Sequence, residues 1–231
     1  MRKKELVKCL VSLSLILTMS VPIEAQKKTK KKRKRKRNPA FAVVEDDPHL
    51  PRVLLIGDSI SIGYTAPVRK LLAKKANVHR IGTNGGPTIR GLKQIDQWLG
   101  KKKWDLIHFN WGLHDLKFLK EKRQVPLKKY RQNLEKLVAR LKKTKAVLIW
   151  CNTTPVPQGV KPHRLNEDVL AYNRVAKEIM KKNKIRTNDL YSFANKRLSE
   201  IQRPKNVHFT QQGSRILAEK VSREILAALT R

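Results

Sequence analysis

Cysteine is nearly missing. The 231-residue chain has two, Cys9 and Cys151, and Cys9 lies in an amino-terminal apolar segment of the kind removed on export. Cys151 is then alone, so neither a disulfide framework nor a cysteine-based metal site can be built. In the run Ala146-Val147-Leu148-Ile149-Trp150-Cys151 it reads as a small buried hydrophobe. Aromatic residues make up 6%, too few for the stacking platforms that hold single-stranded nucleic acid. The six histidines are scattered, with no close pair of the kind zinc hydrolases use, and no metal or cofactor is expected. Long hydrophobic runs are also missing: the segment Cys9 to Val21 spans thirteen residues, short of the roughly twenty needed to cross a bilayer. Acidic residues are the last deficit, 18 against 53 lysines and arginines, for a formal charge of +35.

That charge is unevenly spread. Residues 27–37 hold ten basic residues and no acid, yet residues 38–231 still carry +23. Such a charge speeds encounters with polyanions and resists self-association without specifying a fold. The expectation is a monomer, and residues 27–37 read either as a solvated spacer or as a tether to anionic polysaccharide or another anionic surface. Zinc-ligand spacing, stacking motifs and a basic recognition helix are all lacking, which argues against nucleic acid. A basic start through Lys8, the apolar segment and the small Ala25 read as a secretory signal over residues 1–25. This implies a secreted or periplasmic protein, with an uncleaved anchor as the alternative. Residues 26–51 read as a basic disordered tail and linker punctuated by Pro39, Pro48 and Pro51, and a single domain is expected over residues 52–231.

Within that domain strand and helix patterns alternate. Val53 to Ile56 read as a buried strand broken by the turn Gly57-Asp58-Ser59. A helix follows over Ile62 to Lys75, then a strand over Asn77 to Ile81, a glycine-rich loop, and a helix from Gly91 to Leu99. Trp104 to Trp111, Ala146 to Cys151 and Lys184 to Tyr191 read as further strands. Leu127, Tyr130, Leu134, Leu137, Val138 and Leu141 form a helical stripe behind Pro126, and Leu165, Val169, Tyr172, Ala176 and Ile179 form another. Leu217, Val221, Ile225 and Ala228 mark a closing helix. This order implies a three-layer α/β/α sandwich, flavodoxin-like, around a roughly five-stranded parallel sheet.

In such a sheet the loops after the strands' carboxyl ends converge on one crevice. The first loop brings Ser59, the second Gly85-Gly86-Pro87-Thr88, the third Asn110-Trp111-Gly112-Leu113-His114-Asp115, and the last Asn206-Val207-His208-Phe209-Thr210. A hydroxyl, a base and several polar groups at one edge are what acyl transfer requires. Each also has a plainer reading: Ser59 as a helix cap, Gly86 as a turn residue, Asp115 as a cap, His208 as a loop histidine. His108 reads as packing and His163 as a surface-loop residue.

These residues, in this order, resemble the SGNH, or GDSL-like, hydrolases. Gly57-Asp58-Ser59 matches the family's first block, Gly86 its second-block glycine, Gly112-Leu113-His114-Asp115 its Gly-x-Asn-Asp block, and His208-Phe209-Thr210 the histidine end of its Asp-x-x-His block. The resemblance implies a serine esterase, acting on acyl esters such as acetyl or short-chain esters of carbohydrate, with Ser59 as nucleophile and His208 as base. It also implies an oxyanion hole from the Ser59 and Gly86 N–H groups and the third-block residue. Two positions depart from the pattern. His114 replaces the asparagine, where an imidazole N–H can donate in its place, with Asn110 as a substitute donor. Lys205 replaces the aspartate that orients the histidine, leaving Asp189 or a backbone carbonyl for that role. The second departure keeps open another reading, a catalytically degenerate member that binds acidic polysaccharide.

Overall fold

A computed structural model describes residues 38–230. β1 (Arg52–Ile56) leads into α1 (Ser59–Leu71), and β2 (Asn77–Arg80) into α2 (Thr88–Leu99). β3 (Leu106–Phe109) continues through a hairpin of β4 (Phe118–Leu119) and β5 (Lys122–Arg123) to α3 (Leu127–Lys142). β6 (Val147–Cys151), α4 (Asn166–Lys182) and β7 (Arg186–Asn188) follow, then α5 (Leu190–Asn195), α6 (Leu198–Ile201) and α7 (Gln211–Leu229).

The main sheet is five-stranded and parallel throughout, in the order β2-β1-β3-β6-β7. Its centre is fully buried: Val53 to Ile56 and Leu106 to Phe109 are all at most 2% exposed, as strands covered on both faces must be. Helices α1 and α7 pack together, and α3 packs against both α2 and α4, which gives the three layers expected. The chain leaves β1 for β2 on one side and returns to β3 on the other, so the switch point lies between β1 and β3. Sheets of this strand order bind ligands above the carboxyl ends of those two strands.

Several boundaries move. Helix α1 begins at Ser59 rather than Ile62, because Asp58 caps it: its Oδ1 accepts the Ile60 N–H at 2.8 Å. Helix α2 begins at Thr88 rather than Gly91, its first N–H taken by the Asp115 carboxyl, 2.9 Å away across the third loop. The third strand shrinks to four residues and the fifth to three. His108 is fully buried in β3 with Nε2 against Asn188 Nδ2 at 3.2 Å, a packed residue as read, and His163 packs on Phe118.

Residues 38–51 are not a disordered linker. Ala40 is 1% exposed, Arg69 donates to the Pro39 carbonyl at 2.8 Å, and Asn77 Nδ2 donates to the Asp47 and Leu50 carbonyls at 2.8 and 2.9 Å. Asp46 pairs with Arg52 and His79 at the sheet edge. The prolines stiffen this segment while Asp46 finds bases on β1 and β2, partners that local composition does not reveal. The secretory signal and the basic run 27–37 lie outside the described residues. Among the described residues no helix is long and apolar enough to cross a membrane.

Candidate active site

The Gly57-Asp58-Ser59 turn sits above the switch point. A Cβ on Gly57 would come 2.8 Å from Ser61 Oγ, so the tight exit from β1 needs glycine there. Ser59 is the first residue of α1 and is partly exposed. The loop that carries His208 is closed on itself: Thr210 N–H donates to the Ile201 carbonyl at 2.8 Å, Arg203 N–H to the His208 carbonyl at 3.0 Å, and Gln202 bridges Phe209. The buried Gln202 amide also donates to the Pro155 and Val207 carbonyls. This frame holds His208 Nε2 2.9 Å from Ser59 Oγ, across 149 residues of sequence.

Behind the imidazole stands Asn206, whose Oδ1 lies 2.8 Å from His208 Nδ1. The same oxygen accepts the His208 backbone N–H at 2.9 Å. A backbone N–H only donates, so the atom facing His208 must be the carboxamide oxygen, and Nδ1 must carry the proton that oxygen accepts. Nε2 is then left with its lone pair toward the serine hydroxyl. That is the tautomer a general base requires. Sequence reading missed Asn206 because it looked for a carboxylate at the position of Lys205. The available signal was an Asn two residues before the histidine, the spacing at which an Asn side chain caps the backbone N–H.

The remaining expected residues divide. Asp189 does not reach His208; it caps α5, accepting from Ser192 N–H at 3.0 Å and Asn152 Nδ2 at 2.8 Å. Asn110 is engaged as well, its Nδ2 donating to the Cys151 carbonyl at 2.7 Å and to Thr153 Oγ1 at 3.4 Å, so both its N–H bonds have partners and it is not a spare oxyanion donor. Gly86 adopts φ +61°, and its N–H donates to Asn84 Oδ1 at 2.9 Å. The expected second backbone donor is therefore held within its own turn, a competition inherent to Asn two residues upstream. The Ser59 N–H and the His114 ring have no hydrogen-bond partner among the described residues. Asp115 joins the second and third loops through Thr88, taking both its N–H and its hydroxyl.

The sequence profile of the GDSL-like lipase/acylhydrolase family matches residues 55–216. The chain belongs to that family. No curated protein matches it. Solved structures share the fold: a lipase/acylhydrolase from Enterococcus faecalis at 23% identity, covering 77% of this chain and 96% of that one with a TM-score of 0.68. The acetylxylan esterase Axe2 from Geobacillus stearothermophilus is 23% identical, covers 76% and 94%, and has a TM-score of 0.65. The acetyl xylan esterase AlAXEase is 15% identical, covers 75% and 99%, and has a TM-score of 0.66.

In this GDSL-like hydrolase the site is an open cleft of about 360 Å³ bordered by Ser59, His208, Arg203, Thr210 and Gln211. Ile62, Gly63, Gln211 and Ser214 also border a neighbouring groove of about 750 Å³ that extends to Asn38, Lys70 and Arg215. Burial pushes His208 below the ordinary histidine pKa, and Arg203 and Arg164 add to that against the pull of Asp58. Burial likewise lowers His114, with Arg164, Lys117 and Arg90 on the same side and Asp58 opposing. Both rings are thus held toward the neutral form. A neutral His208 accepts a proton, and a neutral His114 donates through one N–H without a resting positive charge.

Proposed function

We propose that the protein is a serine esterase in which Ser59 attacks the ester carbonyl and His208, oriented by Asn206, takes its proton. The single observation that carries this reading is the Ser59 Oγ–His208 Nε2 contact of 2.9 Å with the tautomer set from behind. The Ser59 N–H and the His114 ring receive the oxyanion, and Gly86 joins them when its N–H leaves Asn84. Protonated His208 then passes its proton to the departing alcohol. The same residue activates water to release the acid from the acyl-enzyme.

The substrate we infer is an acetyl or short-chain ester on carbohydrate. Two neighbours in fold are named acetylxylan esterases, and the groove continuing from the cleft suits a chain longer than one sugar. The basic surface and residues 27–37 would draw a secreted, monomeric enzyme to acidic polysaccharide. The degenerate-binder reading rested on Lys205, and Asn206 now stands where that reading found nothing.

Incubation with a serine-directed fluorophosphonate tests the proposal. One equivalent should attach at Ser59, and turnover of a small acetyl ester should vanish in Ser59→Ala. No labelling, or unchanged turnover in that variant, overturns it. Retention on an immobilised polyuronate that declines steeply with salt would support the polyanion partner.

A further inference from the structure

Arg80 ends β2, and its guanidinium turns under the Ser59 loop. Nη2 donates to the Gly57 carbonyl at 2.8 Å, the Asp58 carbonyl at 3.0 Å and Ser61 Oγ at 2.9 Å. Nη1 donates to the Ile81 carbonyl at 2.8 Å and the Thr83 carbonyl at 2.7 Å. One side chain therefore ties the backbone of the first loop, which presents Ser59, to that of the second, which leads to Gly86. The two loops also touch directly, Gly85 N–H donating to the Gly57 carbonyl at 2.9 Å. Phe41 stacks on the guanidinium at 5.2 Å from the segment preceding β1.

The Asp58 carbonyl and the Ser59 N–H belong to one peptide unit. That carbonyl accepts from Arg80, from Ile62 N–H at 3.1 Å and from Ser61 Oγ at 3.1 Å. Donors on a peptide oxygen, a cationic one above all, draw electron density from the amide and strengthen its N–H as a donor. We propose that Arg80 is a positioning residue for the oxyanion hole: it sets the spacing of the two loops and polarises the Ser59 peptide so that its N–H binds the developing oxyanion more strongly than the substrate carbonyl. This rests on the esterase reading above. Burial brings Arg80 down to about 10, so it keeps its charge at neutral pH. An interaction that strengthens only as the oxyanion forms acts on kcat and leaves KM in place.

The test is steady-state hydrolysis of p-nitrophenyl acetate by the full chain, with Arg80→Lys and Arg80→Met compared at equal folded fraction, and Ser59→Ala run alongside. Lysine keeps a charge but cannot reach both loops from one planar group. Removing a direct oxyanion donor costs about 100- to 1,000-fold; acting one bond away, Arg80→Met should lose about 10- to 100-fold in kcat with KM within twofold, and Arg80→Lys should fall between it and the native chain. Native kcat in Arg80→Lys, or a loss in either variant that lies wholly in KM, overturns the proposal. Should Arg80→Met fail to fold, the Arg80→Lys result decides alone. Turnover surviving in Ser59→Ala would instead locate the failure in the esterase reading.

Discussion

In the proposed mechanism Asn206 does with a neutral amide what a carboxylate does in an Asp-supported triad, and the difference should be measurable. It fixes the His208 tautomer but offers no negative charge to the imidazolium. His208 is depressed by burial, Arg203 and Arg164, so the acid limb of the pH–kcat/KM profile should fall below the ordinary histidine value of about 6.5. Asn206→Asp places a charge on Nδ1, which should raise that limb by about 1–3 units and raise kcat above the limb by roughly tenfold. The gain is smaller than the effect of losing an aspartate elsewhere, because the tautomer here is already correct. Asn206→Ala should lower kcat at every pH. A profile that Asn206→Asp leaves unmoved would show that Asn206 does not govern the base. At this scale Ser59 and His208 were legible because their motifs are local, whereas Asn206 was hidden by the search for charge. The occupied state of Gly86 and Asn110 was hidden because it depends on which neighbouring oxygen wins each N–H.

The loops that build the site share one device. Asp58, Asn84 and Asn206 each accept the backbone N–H two residues on, at Ile60, Gly86 and His208, so each bend is set by its own side chain before any long-range contact forms. The alternating strands and helical stripes made the five-stranded sheet readable, since buried parallel strands are unbroken apolar runs. The hairpin β4–β5 and the docked segment 38–51 were not readable, because the hairpin is mostly charged, the segment shows neither a strand nor a helix period, and both owe their structure to distant partners. Helix α7 shows how an element boundary positions chemistry. Its cap, Thr210, accepts the Gly213 N–H at 2.9 Å, and a Cβ on Gly213 would clash with the Ile201 carbonyl, the acceptor that closes the His208 loop. Gly213→Ala should therefore destabilise the fold by about 1–3 kcal/mol and lower kcat by moving His208. Urea melts give the first quantity, read as a lower midpoint at unchanged slope, and assays of the folded fraction give the second. Native stability in this variant would show that α6 and α7 yield to each other.

Across the whole molecule two buried groups set opposing responses to acid. His108 is brought down to about 4 by burial, so between that value and its unfolded value of about 6.5 the unfolded chain binds the extra proton. Its contribution is complete above pH 6.5 and is lost as the pH falls toward 4. Asp115 is pushed up to about 7 by burial, against its hydrogen bonds from Thr88, so the folded chain holds the extra proton between its unfolded value of about 3.9 and 7. Its contribution is complete below pH 3.9 and is lost as the pH rises toward 7. From about pH 4.5 to 6 the two slopes cancel to first order, each worth about 1.4 kcal/mol per pH unit. Asp115→Asn keeps an oxygen for Thr88 and removes one of the slopes. Relative to the native chain, this variant should lose about 2 kcal/mol more of its unfolding free energy when acidified from pH 6 to 4.5. Chemical denaturation at the two pH values measures that difference directly, and equal losses in the two proteins would mean that Asp115 is already ionised in the folded state.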